Sequence, residues 1–299
     1  MKNTLIVIDG PTASGKSNLA YNWAKIWNCP ILSADSRQLF KQVDIGTGKP
    51  EQNQLKTVQH YFMDTLPVDS SYSVGQFQRD ANELLLELFG KHNKLILCGG
   101  TGLYIKSILK GLDNLPESNR EIKDQVAQMF LENGIEGYQS YLEKADPAYF
   151  ATVDKNNPRR LARAIEVILL TGKPYSSFKL NNQHELPFQV SELTLMPARN
   201  TLYAAIDKRV DFMIKSGLVD ETKSLLQFRN CQALDTVGYK EIISYLDGNI
   251  PLEVAINLIK QHTRNYAKRQ ITWFKKESQG NFIDPENKQA IETFFNLFK

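Results

Sequence analysis

The chain has 299 residues, of which 42% are hydrophobic and 23% are charged, a composition typical of a soluble globular protein with one large or two small domains. Its net charge of +3 is too small to indicate a nucleic-acid partner, so the clustering of basic residues matters more. Three separated cysteines and four scattered histidines exclude a disulfide framework and a zinc finger, and no apolar run suits a membrane helix or a signal peptide. We therefore expect a cytoplasmic protein without a membrane partner.

The first motif is a phosphate-binding loop of the form G-x-x-x-x-G-K-[ST]. It lies between a short apolar run, 5–8, and a helical pattern, 17–24, and this order argues against a chance glycine-rich turn. Two glycines allow a tight turn in which backbone N–H groups and a helix N-terminus face one anion. The pattern predicts that Lys16 contacts phosphate oxygens and that the Ser17 hydroxyl ligates Mg²⁺. The loop consists of Gly10, Pro11, Thr12, Ala13, Ser14, Gly15, Lys16 and Ser17.

Strands and helices alternate in the first third of the chain. Further strands are predicted at 30–34 and 94–98, and an amphipathic helix is predicted at 76–89. This alternation indicates a parallel sheet with helices on both faces, an α/β core like that of the P-loop NTPases. Ligands bind such sheets at the carboxyl ends of the strands. We therefore expect Asp35 and Thr101, which follow the second and third strands, to share one rim with the phosphate loop.

Residues 115–196 are mainly helical, and we interpret them as an inserted all-helical domain between the core segments 1–114 and 197–299. A capping box at 118–121 predicts the start of one helix, and Asn133–Gly134 its end. Asn157–Pro158 predicts the start of another helix, which Gly172 closes. Strand-like composition returns only at 193–196.

Basic residues cluster in two places. Three arginines lie near the start of the helix that begins at Pro158, and the segment 260–276 carries six basic residues, no acid and three interleaved aromatics. Such mixtures suit a phosphate backbone and stacked bases. The other interpretation is a solvated helix whose aromatic residues face the core.

The phosphate loop alone does not identify a reaction. Kinases and NTPases carry such loops, but an NTPase would be expected to carry a Walker-B-type Asp that helps to hold Mg²⁺. The third predicted strand instead runs into 98–101, which contains no Asp. Asp35 could ligate Mg²⁺ or accept a proton from a nucleophile. The spacing does not choose between these roles.

Seven motifs in order along nearly the whole chain together resemble the tRNA dimethylallyltransferase family. They are the phosphate loop and the segments 35–38, 44–50, 99–104, 157–164, 237–241 and 263–270. Asp235 departs from the family pattern, in which Arg or Gln is common at this position. Since the chain ends without the zinc-finger extension of eukaryotic relatives, we expect the bacterial type.

The resemblance implies transfer of a dimethylallyl group from dimethylallyl diphosphate to the N6 amine of the adenine 3′ to the anticodon in tRNA. It implies Asp35 as the general base, Thr101 and Arg209 as further catalytic residues, and Mg²⁺ as the cofactor. Thr12 and Arg209 would contact the diphosphate, and the helical insertion would hold the anticodon stem-loop. The implied tRNA-binding residues are Asp35, Ser36, Arg37, Gln38, Thr101, Lys123, Arg159, Arg160, Leu161, Ala162, Arg163, Tyr239, Lys240, Arg264, Lys268 and Arg269.

Other functions remain open at this point. The spacing of Arg209 alone would favour an ion pair with Asp207 or Asp211 of its own helix. The loop also suits nucleotide and ATP binding, as in a small-molecule kinase or in an RNA-binding protein that uses the nucleotide as a switch. Adenylate isopentenyltransferase, which acts on a free nucleotide, is disfavoured because it needs no long insertion or basic segment. We expect a monomer.

Overall fold

Six parallel strands form the core of the computed structural model, which describes residues 3–117, 119–178 and 185–299. In chain order these strands are β1 (Thr4–Asp9), β2 (Ile31–Ser33), β3 (His60–Tyr61), β4 (Lys94–Gly99), β5 (Gln189–Leu195) and β6 (Asn281–Ile283). Their order across the sheet is β3-β2-β4-β1-β5-β6. The register places Asp9 beside Gly99 on one side and beside Thr194 on the other, so the carboxyl ends of β1, β4 and β5 lie together.

The helices of the described chain are α1 (Lys16–Trp27), α2 (Gln52–Thr57), α3 (Val74–Phe89), α4 (Gly102–Leu109), α5 (Arg120–Ala145), α6 (Pro147–Phe150), α7 (Pro158–Thr171), α8 (Arg199–Lys215), α9 (Leu218–Ser224), α10 (Tyr239–Leu246), α11 (Leu252–Glu277) and α12 (Lys288–Asn296). Short 3₁₀ turns lie at Tyr175–Phe178 and Leu226–Phe228. No described helix is long and apolar enough to cross a membrane.

Both faces of the sheet are buried, which is why its central strands are continuous apolar runs. Leu5 and Val7 of β1 pack in one cluster with side chains of α3 and α4, while Ile6 and Ile8 pack in another with α1 and α12. All four side chains are fully buried, and each contributes about 1.5–3 kcal/mol to folding. The predicted α/β class is therefore confirmed.

Helix ends follow the capping residues of the sequence. The Asn157 side chain accepts a hydrogen bond from the Arg160 N–H at the start of α7, and Gly172 ends that helix with a φ of 67°. At the start of α5 the cap is Asn119, whereas Ser118 of the expected capping box lies outside the described residues. The expected helix end at Gly134 is a kink, because the chain resumes helical geometry and continues to Ala145.

The chain forms two compact units, Met1–Leu109 with Glu185–Lys299, and Lys110–His184. The second has its own core, which includes Tyr138, Leu142, Leu161 and Ile165 from α5 and α7. The expected boundary at residue 196 is wrong. Residues 189–195 form β5, which pairs with β1 and so belongs to the sheet of the first unit.

Candidate active site

The phosphate loop connects β1 to α1 and passes directly beside β5. At Gly10 the backbone φ is 141°, and a Cβ there would lie 2.5 Å from the carbonyl oxygen of Leu195. Only glycine allows this close passage. Gly15 caps the N-terminus of α1, so the positive end of the helix opens into the loop.

Lys16 folds back over the loop from the first turn of α1. Its Nζ donates a hydrogen bond to the carbonyl oxygen of Pro11 at 3.1 Å. A Cβ added to Gly100 would lie 3.5 Å from the same nitrogen, so the ammonium group also lies close to the turn after β4. Burial lowers the pKa of Lys16, and the Cys98 thiol and the Asp35 carboxylate act in the opposite direction. The ammonium is thus a partly desolvated cation at the rim of the sheet.

The turns after β2 and β4 are locked together. The Thr101 hydroxyl oxygen accepts a hydrogen bond from the Ser36 N–H at 3.0 Å, and the Thr101 N–H donates to the carbonyl oxygen of Ala34 at 3.0 Å. Asp35 Oδ1 accepts from the Arg37 N–H at 2.9 Å, which fixes the carboxylate at the start of its turn. Asp35 and Thr101 therefore lie side by side on one rim, as the parallel sheet predicts.

Arg209 reaches this rim from α8. Its Nη2 donates to the carbonyl oxygen of Thr47 at 3.3 Å, and the guanidinium lies so close to Gly48 that a Cβ there would be 2.2 Å from Nη2. Burial lowers the pKa of Arg209, and the Asp35 carboxylate raises it, so the two charges lie within electrostatic reach. The ion pair that spacing alone would favour is not observed, since Asp207 pairs with Arg264 and Asp211 with Lys260.

Glu221 of α9 holds the loop 44–48, which Arg209 contacts. Sequence analysis did not identify this residue. Its carboxylate accepts hydrogen bonds from the N–H groups of Asp44, Ile45 and Gly46 at 3.0, 2.8 and 3.0 Å. It also accepts from the Tyr239 hydroxyl at 2.6 Å. No sequence signal separates Glu221 from other acidic residues on helices, because its backbone partners lie about 175 positions away.

Three residues expected to contact tRNA have buried side chains. Leu161 and Tyr239 are fully buried, the first in the core of the second unit and the second beside Glu221. Gln38 is buried and accepts a hydrogen bond from the Ser33 hydroxyl at 3.0 Å. These side chains face the protein interior in the chain without RNA, and their expected contact with tRNA stays a prediction.

Arg37 and Lys240 are engaged within the protein. The Arg37 guanidinium donates to the carbonyl oxygens of Gln232 and Asp235, the latter at 2.9 Å. Lys240 forms an ion pair with the Asp235 carboxylate. The acid that departs from the family pattern is thus a partner of two expected tRNA-binding residues.

Other cations are available at the surface. Arg159 and Arg160 are exposed on α7, and Lys123 is exposed on α5. Arg163, by contrast, is half-buried, bound to Glu166 at 3.1 Å and to the carbonyl oxygen of Pro116 at 2.7 Å, and Ala162 is half-buried beside it.

On α11 of the first unit, Lys268 and Arg269 are exposed, and Arg264 is engaged with Asp207. Each unit therefore presents its own basic surface.

Ser17 is the protein group expected to hold Mg²⁺. Among the described residues, no cluster of three or more His, Cys, Asp or Glu side chains could enclose a metal ion. The Ser17 side chain is exposed in the first turn of α1. A single hydroxyl beside a phosphate loop suits an ion that keeps several waters and takes further ligands from phosphate.

Comparison with known proteins agrees with this geometry. The IPP transferase family model matches residues 38–277. The chain is 44% identical to the tRNA dimethylallyltransferase of Cytophaga hutchinsonii over 97% of its length and 95% of the relative. It is 45% identical to that of Christiangramia forsetii, with 97% of each chain covered.

Solved structures also resemble this fold over nearly the whole chain. The tRNA isopentenylpyrophosphate transferase of Bacillus halodurans matches with a TM-score of 0.72 and 34% identity, over 99% of this chain and 95% of that one. A eukaryotic dimethylallyltransferase acting on tRNA matches with a TM-score of 0.83 and 25% identity, over 99% of this chain and 77% of that one. On the family model and these full-length matches, the chain belongs to the IPP transferase family, the family of the tRNA dimethylallyltransferases.

Proposed function

We propose that this chain transfers a dimethylallyl group from dimethylallyl diphosphate to the N6 amine of the adenine 3′ to the anticodon in tRNA. The observation that carries the proposal is the joint placement of an anion site and a carboxylate on one rim. Lys16 and Arg209 supply the cations, and Asp35 lies within electrostatic reach of both. The names of the full-length relatives support the same reaction.

The phosphate loop serves the departing diphosphate. As the allylic C–O bond breaks, its electron pair moves to the diphosphate oxygen, where negative charge increases. The N-terminus of α1, Lys16 and Arg209 are already in place beside the loop, so they stabilise this charge with little reorganisation. Ser17 would hold Mg²⁺, which when bound adds further positive charge beside the diphosphate.

Asp35 is the base that takes the proton of the acceptor amine. The amine nitrogen forms a bond to the allylic carbon and gives its proton to the Asp35 carboxylate. The Arg37 N–H orients this carboxylate, and Thr101 fixes the neighbouring turn. The adenine must leave its stack to reach these groups, as in other enzymes that modify bases.

Exposed basic side chains contact the RNA backbone. Among the described residues, no ion pair like those of Arg163 and Arg264 engages Arg159 and Arg160 of the second unit or Lys268 and Arg269 of the first. Contacts of this kind position an RNA without reading its sequence.

The test is incubation with labelled dimethylallyl diphosphate and Mg²⁺, with tRNA or AMP as the acceptor. We expect label in tRNA and none in AMP. An anticodon stem-loop with guanine in place of the target adenine is the matched control, since it lacks the N6 amine. Label in AMP would instead indicate an adenylate isopentenyltransferase. ATP consumption without tRNA would indicate a kinase, and RNA binding without transfer would indicate a non-catalytic protein.

A further inference from the structure

Gln270 of α11 is a buried polar side chain that connects two turns of the site. It is 6% exposed. Its Oε1 accepts a hydrogen bond from the Thr12 N–H of the phosphate loop at 2.8 Å. Its Nε2 donates to the carbonyl oxygen of Gly100, directly before Thr101, also at 2.8 Å. One amide therefore fixes the spacing between the diphosphate loop and the turn on the acceptor side.

The same stretch of α11 faces solvent with positive charge. Lys268 and Arg269 directly precede Gln270 and are exposed. One turn further, Trp273 packs against the start of α4 so closely that a Cβ on Gly102 would lie 2.1 Å from its Nε1. The helix thus contacts the catalytic rim through one face and presents cations on another.

A helix placed in this way can link two binding events. A phosphate backbone held by Lys268 and Arg269 would restrict this turn of α11, and Gln270 would restrict Thr12 with it. A diphosphate that binds an already ordered loop loses less conformational entropy, so its affinity rises without a new contact. Linkage then requires that diphosphate strengthens RNA binding by the same factor.

We propose that Gln270 is a positioning residue that couples RNA bound on the exposed cations of α11 to the geometry of the diphosphate loop. The proposal rests on the function proposed above, since it takes RNA and diphosphate as the two ligands. It differs from the roles of Lys16, Arg209 and Asp35, because Gln270 contacts only protein groups and acts through them.

The variant for the test is Gln270→Met, which keeps the length of the side chain and removes both hydrogen bonds. Inorganic diphosphate with Mg²⁺ is titrated calorimetrically into the protein alone and into its complex with an anticodon stem-loop RNA. In the wild type we expect the RNA to tighten diphosphate binding at least ~5-fold. In Gln270→Met this factor should fall toward one. The thermal midpoint of the variant is measured alongside, to check that it is folded. Gln261→Met, at an exposed position of the same helix, should retain the wild-type factor.

A second measurement needs no variant. Amide hydrogen exchange of the wild-type segment 9–17 should slow when the stem-loop RNA is added without donor, because Gln270 holds the Thr12 N–H. A wild-type coupling factor of one, an unchanged factor in Gln270→Met, or unchanged exchange of the loop would each overturn the inference. These outcomes are distinct from failure of the proposed function, in which the wild type would not label tRNA at all.

Discussion

Asp9 is a buried carboxyl group directly before the phosphate loop, and its neutralisation should change how stability depends on pH. It is 1% exposed at the end of β1, and neither carboxylate oxygen has a hydrogen-bond partner of good geometry in the described part of the chain. Burial raises the pKa of Asp9 well above its ordinary value. The neighbouring Glu192 adds to this effect, while the Thr194 hydroxyl and the Lys16 ammonium oppose it.

The direction of this pH dependence follows from proton binding. Because the pKa of Asp9 is higher in the folded than in the unfolded chain, the folded state binds the proton more tightly. The resulting stability is complete below the unfolded pKa and is lost as pH rises through the folded pKa. Each pKa unit of difference between the folded and the unfolded chain changes the free energy of unfolding by ~1.4 kcal/mol. Asp9→Asn is neutral at every pH, so its stability relative to the wild type should increase steadily from pH 5 to pH 8.

The assay is urea unfolding of the wild type, Asp9→Asn and the exposed control Asp69→Asn at several pH values across this window. The control should show no such trend. A constant difference between Asp9→Asn and the wild type would refute the reasoning. So would a variant that is less stable at pH 8, since Asp9 would then be an ionised partner of Lys16.

Three further predictions concern the site and the surface. Asp35→Asn should lower kcat by ~10²–10⁴-fold and leave the Kd for tRNA nearly unchanged; a normal kcat would remove Asp35 as the base. Replacing Arg159 and Arg160 together by Gln should weaken tRNA binding and reduce the slope of log K against log salt by about 1.5, whereas Lys25→Gln, an exposed charge on α1, should not. Iodoacetamide at pH 8 should modify the half-buried Cys231 and spare the two buried cysteines, since burial raises the pKa of both their thiols to about 12; peptide mass spectrometry of the native protein reads this directly.

Sequence predicted the elements whose signals are local. β1 and β4 are six-residue strands built on the apolar runs 5–8 and 95–98, next to loops with a recognisable pattern. β3 and β6 have only two and three residues, too few to show a period, and were not predicted. β5 was predicted only in part, because its first residues, Gln189 and Val190, are exposed and its buried residues begin at Leu193. The domain boundary was misplaced for that reason.

The site was predicted as a set of residues but not as a set of contacts. Gln38 and Tyr239 lie within motifs of the resemblance, yet a motif does not say which way a side chain points. Glu221 and Gln270 form hydrogen bonds to backbone groups far away in sequence, and such hydrogen bonds produce no periodic pattern in the sequence. The supporting residues Glu221 and Gln270 were therefore missed, whereas Asp35 and Thr101 were expected on the rim.

Charge explains why these scattered contacts converge on one rim. Burial lowers the pKa of both Lys16 and Arg209, and the Arg209 charge further lowers that of Lys16, so holding the two cations together costs free energy. Asp35 offsets part of this cost, but a single carboxylate does not balance two cations. A ligand with several negative charges relieves the repulsion that remains, whereas a neutral ligand does not. The proposed preference for a polyphosphate group thus follows from the cost of the cation pair, which the hydrogen bonds of Thr47, Glu221 and Gln270 help the fold to sustain.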